Sequence, residues 1–290
     1  MRSVAWLSDT GRTLTFEAGH GPYIFRSLTS DLSASAETAK APRQDGITTY
    51  HVALDERTIN LEGAMWIKGD RTHPALAQYD KARAALHQIF APHRWGTLIY
   101  YREDGPVQVR CRPVATPTLT DCVGTYAAID ITFTTDSPYW ESAQEYVVGV
   151  GAIQRFWHFP WAPVRGAMGA FNRFGSMVNP SEELIYPTVE VYSTSEHITL
   201  TNLTAGEFVT IEHAIAEGQK LVVDLRDVTA YLHERVGEDY RQKEDVSHWM
   251  SLDSEPWGLR PGHNQVFITN EVPENTPLAF IRCRVPSLGV

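Results

Sequence analysis

The stretch 129–140, IDITFTTDSPYW, decides how the chain is divided. Ile129, Ile131 and Phe133 alternate with Asp130, Thr132 and Thr134, the period of two that gives a half-buried strand one apolar and one polar face. Asp136, Ser137 and Pro138 then stop it, because proline has no N–H to extend a ladder and restricts the residue before it. A strand ending on such punctuation closes a first domain, so the reading is two domains, 1–140 and 141–290.

Length agrees, since 290 residues suit two domains of about 150 each. A content of 43% hydrophobic and 21% charged residues is that of a globular protein. No apolar run approaches the roughly 20 residues that cross a bilayer, so no membrane insertion is expected. The first residues hold only a short apolar patch, too short for a secretory signal, which points to folding in the cytoplasm of the producing cell. Cys111, Cys122 and Cys283 are odd in number and form no CxxC or Cys/His cluster, so buried thiols are expected rather than disulfides or zinc ligands. The net charge of -10 disfavours binding to a phosphate backbone, which depends on Lys and Arg displacing counterions. It suits a passage through which nucleic acid slides without sticking.

Outward from the opening stretch, the first domain reads as antiparallel β structure with one helix. Val4–Leu7, Leu14–Phe16 and Tyr23–Leu28 are strand-like and separated by turn sequences. The segment 30–46, SDLSASAETAKAPRQDG, has almost no large apolar side chain to offset its ordering entropy and reads as a mobile loop. Thr48–Leu54 and Thr58–Trp66 read as a hairpin turning at Asp55-Glu56-Arg57. Leu76, Tyr79, Ala82, Leu86, Ile89 and Phe90 recur at helical spacing between Pro74 and Pro92. Thr97–Tyr101, Val107–Arg112 and the strand reaching Phe133 complete a β-rich domain with a helix against it.

In the second half, Tyr146–Phe159 is β-like and 159–187 reads as an irregular excursion rich in Pro and Gly. Short strands then recur at Thr188–Tyr192, His197–Thr201, Phe208–Ile211, Leu221–Val223, Val228–Leu232, Gln265–Thr269 and Ala279–Val285. Such spacing suggests a β-sandwich, with the charged run 233–245 as a solvated loop.

Chemistry is sparse. Gly149-Val150-Gly151 lacks the third glycine and the following helix of a dinucleotide site. His87 and His93 are badly spaced for a metal, and no P-loop, GxSxG or HExxH occurs. The carboxylate pairs Glu182-Glu183 and Asp224/Asp227 would have to face each other across a sugar to serve a glycosidase. Trp157, Trp161, Trp249 and Trp257 suit either sugar stacking or core and interface packing, and the packing reading is preferred. No catalytic, cofactor-binding or metal-binding residue is assigned, and the chain is not expected to be an enzyme.

In the first half, Asp45-Gly46, Arg57-Thr58-Ile59, a lone helix ending near a proline, Phe133 and Ser137-Pro138-Tyr139-Trp140 come in that order. In the second half, Tyr186-Pro187-Thr188-Val189-Glu190-Val191, Asn202-Leu203-Thr204-Ala205-Gly206-Glu207, Gly218 to Asp224 and Leu259-Arg260-Pro261-Gly262-His263-Asn264 follow. In the order and spacing of these motifs over some 240 residues the chain resembles the distal tail proteins of siphophages, the siphovirus-type tail component family. Gln219 stands where the family has Glu, and Asn179-Pro180-Ser181 lacks the Gly-Asp often found there.

The resemblance implies a mainly β protein: an N-terminal belt domain, split-barrel-like with one helix, and a C-terminal galectin-like β-sandwich. It implies a homohexameric ring at the virion's tail tip that joins the tail tube protein to hub and fibre proteins of the host-adsorption apparatus. A central channel would pass DNA without specific binding. A lectin-like carbohydrate-binding module is the alternative, with a polysaccharide hydrolase behind it. On this view Phe133 anchors the first core, while Pro138, Tyr139 and Trp140 set the angle of the second domain.

Overall fold

The structure, a computed structural model, describes residues 2–19, 21–68, 75–151, 153–158, 167–171, 174–192, 194–270 and 278–289. It divides into two compact units, Met1–Gln144 with Ser287–Val290, and Glu145–Pro286. The division thus falls at Gln144 and not at Trp140, and the chain re-enters the first unit at Ser287.

The first unit comprises β1 (Ser3–Ser8), β2 (Thr13–Glu17), β3 (Tyr23–Ala39), β4 (Thr48–Trp66), α1 (Ala75–Ile89), β5 (Gly96–Tyr101), β6 (Val107–Pro113), β7 (Thr118–Val123), β8 (Tyr126–Thr135) and β9 (Trp140–Ser142). The strands run in the order β9-β6-β5-β1-β2-β3-β4-β8-β7. A second pairing of β6 with β8, through Arg112↔Thr134 and Pro113↔Phe133, curls this sheet into a barrel. The barrel is split between β2 and β3, which share the single parallel rung Glu17↔Ile24.

The alternation in β8 faces as expected: Ile129, Ile131 and Phe133 are buried and Asp130 is exposed. Inside, the rings of Trp6, Phe90 and Phe133 meet at centroid distances of 5.1 to 5.9 Å, two of the contacts tilted and that of Phe90 with Phe133 edge-on, within the range at which aromatic pairs attract. Tyr79 and Leu86 of α1 join this core, whereas Leu76 in its first turn is exposed. Pro74 lies outside the described residues. Gly96 is required by the packing, since a Cβ there would lie 2.5 Å from the Trp6 ring and 2.7 Å from the Leu7 carbonyl oxygen.

Two sequence expectations fail here for physical reasons. Segment 30–46 is not a loop as far as Ala39: β3 runs through it and pairs with β4 along its whole length, carried by backbone hydrogen bonds that need no apolar side chains. Asp55-Glu56-Arg57 is not a turn, because β4 continues through it as one strand of 19 residues. Trp140 is fully buried in the first core.

The second unit contains β10 (Tyr146–Val150), β11 (Ile153–His158), β12 (Ala167–Phe171), β13 (Phe174–Asn179), β14 (Thr188–Tyr192), β15 (Ile198–Asn202), β16 (Glu207–Ile211), β17 (Gln219–Asp224), β18 (Thr229–Val236), β19 (Asp239–Asp245), β20 (Gly262–Asn270) and β21 (Leu278–Cys283). A six-stranded sheet, β10-β21-β14-β17-β18-β19, and a four-stranded sheet, β13-β20-β15-β16, bury their inner faces in one core. Trp257 is fully buried in it and donates from Nε1 to the Leu200 carbonyl at 3.1 Å. The excursion at 159–187 therefore supplies a sheet strand, β13, and the charged run 233–245 is the end of β18 and all of β19 rather than a loop. The final strand, β22 (Pro286–Ser287), lies beside β9.

Candidate assembly site

The polar character that hid β3 from sequence reading also leaves its outer part without a core. Beyond the rung Leu32↔Arg57, β3 and β4 form a two-stranded arm exposed on both faces out to Ala39↔Thr48. At the tip, Gln44 accepts from the Ala41 N–H at 2.9 Å and donates to Thr48 Oγ1 at 2.7 Å. Two bulges place extra residues on β4: Asp55 and Glu56 against Ser33, then Tyr50 alone. Between them Val52 stands opposite Ala36 and Leu54 opposite Ala34, an apolar face, while His51 opposite Glu37 and Ala53 opposite Ser35 form the other. Tyr50 is 71% exposed, Val52 59% and Leu54 40%. Isolated ribbons are marginal in water, and an exposed apolar stripe on one marks an interaction surface.

Arg57 is fixed where the arm leaves the barrel. It is 1% exposed, and its guanidinium donates to the Pro138 carbonyl at 2.8 Å, to Ser30 Oγ at 2.7 Å and to the Leu288 carbonyl at 2.8 Å. None of these acceptors is a carboxylate, and burial pushes the guanidinium's pKa down. Trp140 Nε1 donates to the same Ser30 Oγ at 3.2 Å.

A second surface lies on the outer face of β3, β4, β8 and β7. Registers place Thr29 beside Asn60, Asp31 beside Thr58, Thr58 beside Thr134, and Glu62 directly opposite Asp130, which in turn faces Thr118. Hydroxyls and carboxylates dominate this face; Ser27 donates to Glu62 at 2.7 Å and Thr134 to Glu56 at 3.1 Å. Arg26 marks one end, bonded to the Tyr126 hydroxyl. Glu62, Asp130 and Thr118 border a shallow groove of about 260 Å³. Like charges directly across a rung cost stability, so the Glu62/Asp130 pairing is not there to hold the sheet together.

The residues weighed for chemistry serve structure. Asp224 Oδ1 accepts from the backbone N–H groups of Arg226 and Asp227, closing the turn after β17. Glu182 is exposed on a loop whose neighbour Glu183 gives its carbonyl to Asn179 Nδ2. Asn179, Asn202 and Asn264 are buried and pin turns with both ends of their amides, so the motif asparagines are fold determinants. Trp249 is 46% exposed between His213 and His248, while Trp161 and the Trp157 side chain lie outside the described residues. Cys111 and Cys283 are buried free thiols; burial pushes Cys283 up to about 11, so it is unreactive at neutral pH.

On the open face of the six-stranded sheet, Lys220 bridges the rings of Tyr192 and Tyr240 at 5.5 and 5.0 Å and pairs with Glu190 at 3.1 Å. Burial pushes the Glu190 carboxyl up, but the Tyr192 hydroxyl, Lys220 and Arg282 outweigh it and hold the group below the ordinary carboxylate value. Among the described residues, no group of three or more His, Cys, Asp and Glu is placed to hold a metal ion.

Residues 19–135 match the family model described as the phage tail protein RIFT-related domain, and residues 182–280 match the siphovirus-type tail component, C-terminal domain. The chain belongs to the siphovirus-type tail component family, that of the siphophage distal tail proteins, and is a structural component of a phage tail. Its fold is similar to the crystal structure of SPP1 Dit (gp 19.1), described as a paradigm of the hub adsorption apparatus in phages infecting Gram-positive bacteria, with a TM-score of 0.65 at 12% identity over 98% of this chain and 99% of that one. It is also similar to chains of the phage P2 baseplate in its activated conformation, with Ca (TM-score 0.59, 11% identity) and with Sr (0.58, 12%), each covered fully on both sides. No curated protein sequence matches. The two units are thus a β-rich belt and a galectin-like sandwich.

Proposed function

We propose that six copies of this chain close into a ring at the tip of the virion's tail, joining the end of the tail tube to the host-adsorption apparatus around a channel for DNA. The observation that carries this reading is the arm. About 20 Å long at 3.3 Å per residue, it exposes Tyr50, Val52 and Leu54 with no partner surface of its own. A second copy of the chain is the occupant, because a protruding arm that docks on a neighbour makes a heterologous contact, and such contacts generate a ring when the rotation between neighbours closes.

The threonine and carboxylate face of β3, β4, β8 and β7 lines the channel. Its carboxylates repel the phosphate backbone and its hydroxyls keep the wall wet, so DNA passes without specific binding. The protein acts as a scaffold and not as an enzyme, contacts the tail tube protein and tail-associated hub and fibre proteins, and is made in the host cytoplasm before joining the virion. Size-exclusion chromatography with light scattering, followed by two-dimensional projection of the particles, is expected to give six lobes around a pore. A protein that stays monomeric even beside its tail partners would overturn the reading.

A further inference from the structure

We infer that segment Ser287–Gly289 is a latch that sets the direction of the arm, acting through the buried guanidinium of Arg57. The chain leaves the first unit at Gln144, builds the whole second unit, and returns only at Ser287. What it returns to is the foot of the arm. β22 lies beside β9, which begins with Trp140, and Ser287 Oγ donates to the Gly289 carbonyl at 2.8 Å, shaping the segment so that the Leu288 carbonyl meets Arg57 Nη2.

Arg57 occupies the last barrel-side rung before the first bulge. Its three acceptors belong to three different pieces of chain: Ser30 on the opposite arm strand, Pro138 in the turn that closes β8, and Leu288 in the returning segment. A planar guanidinium holds its donors at fixed angles, so three simultaneous bonds fix three directions at once. The exposed ribbon beyond this rung has no core to orient it, so the node is what aims it. Leu288 contributes through a backbone carbonyl, which is why no side-chain pattern in the sequence announces the role. Because the segment follows the second unit in the chain, the arm acquires its final direction only after that unit has been made.

Hydrogen exchange of the full chain, of a chain cut after Pro286, and of Arg57→Met in both backgrounds tests this without reference to oligomer state. The cut is expected to raise exchange at Ser30–Leu32 and Arg57–Ile59 by about tenfold, the population equivalent of one unpaired buried donor. Strands of the second unit should be unchanged. The two changes act on one bond, so cutting the Arg57→Met chain should add little further. Unchanged rungs in the cut chain, or effects of cut and Arg57→Met that simply add, would overturn the latch. If the cut chain does not fold, Ser287→Ala in the full chain decides: losing the hydroxyl that shapes the segment must raise exchange at Ser30–Leu32 and Arg57–Ile59, and unchanged exchange there would overturn the proposal. A ring that fails to form with the latch intact counts against the proposed function alone.

Discussion

The arm of β3 and β4 and the hairpin of β18 and β19 are made of similar material: each has one strand polar enough to be read as a loop, and in each that strand is paired. Their outward faces differ. The hairpin carries Glu234, Arg235, Arg241, Lys243 and Glu244, with Val236 as its exposed aliphatic, and its charges answer one another, as in Lys243–Glu234 at 3.3 Å. The arm presents Tyr50, Val52 and Leu54. Water suffices for the first ribbon, whereas the second exposes an apolar stripe that the proposed ring would cover. Exposure and polarity alone therefore do not separate a solvated ornament from a docking device; the arrangement of apolar residues on one face does.

The comparison breaks most sharply at the arm's apolar face. Val52→Asp with Leu54→Asp is expected to abolish oligomers in light scattering while leaving the melting temperature of the monomer unchanged, whereas excising residues 237–242 from the hairpin should leave the oligomer intact. At the foot of the arm, Trp140→Ala should cost about 3–5 kcal/mol in denaturant unfolding of the first unit, the usual loss for emptying a buried aromatic site. At the foot of the hairpin, Lys220→Met should cost about 1–3 kcal/mol in the second unit, since Glu190 keeps its burial and loses one of its two cations, with only Arg282 left.

Acid titration sharpens the same contrast. Glu190 has a depressed folded pKa, so its contribution is fully present above its unfolded value of 4.5 and is lost as pH falls through the lower folded value. His233, on β18, is pushed below 6.5 by burial and then by Lys220, so the folded unit also resists its protonation and loses stability as pH falls below 6.5. Thermal melts of the second unit should therefore decline in two steps on acidification, the first absent in His233→Gln. The smallest effect belongs to Lys243→Ala: an exposed pair of this kind is worth about 0.2–1 kcal/mol by chemical denaturation.

Much of the architecture is legible in the residues. The alternation of Ile129, Ile131 and Phe133 marks a barrel strand, and the spacing of Tyr79 and Leu86 marks the helix. Asn202 and Asn264 mark turns that the structure shows pinned by their amides. The arm escapes because β3 beyond Leu32 is stabilised by backbone pairing, which leaves no hydrophobic signature. Arg57 is misread because Asp55-Glu56-Arg57 looks like turn chemistry, and only the three-dimensional fold shows that the first two residues bulge while the third is buried. The carboxylate face is hidden for another reason: Glu62 and Asp130 are 68 positions apart, and only the pairing of β4 with β8 makes them neighbours.

Both bulges of the arm add residues to β4 and none to β3. Side chains in a strand alternate, so lengthening each strand by one residue would turn the new rungs' apolar side chains to the opposite face, while two per strand would preserve the stripe. Arm length in related chains is therefore expected to change in pairs of residues per strand, with an odd step matched by a further bulge. Counting residues between the arm's foot and tip should therefore reveal, from sequence alone, which relatives have re-aimed their arms and which have only extended them.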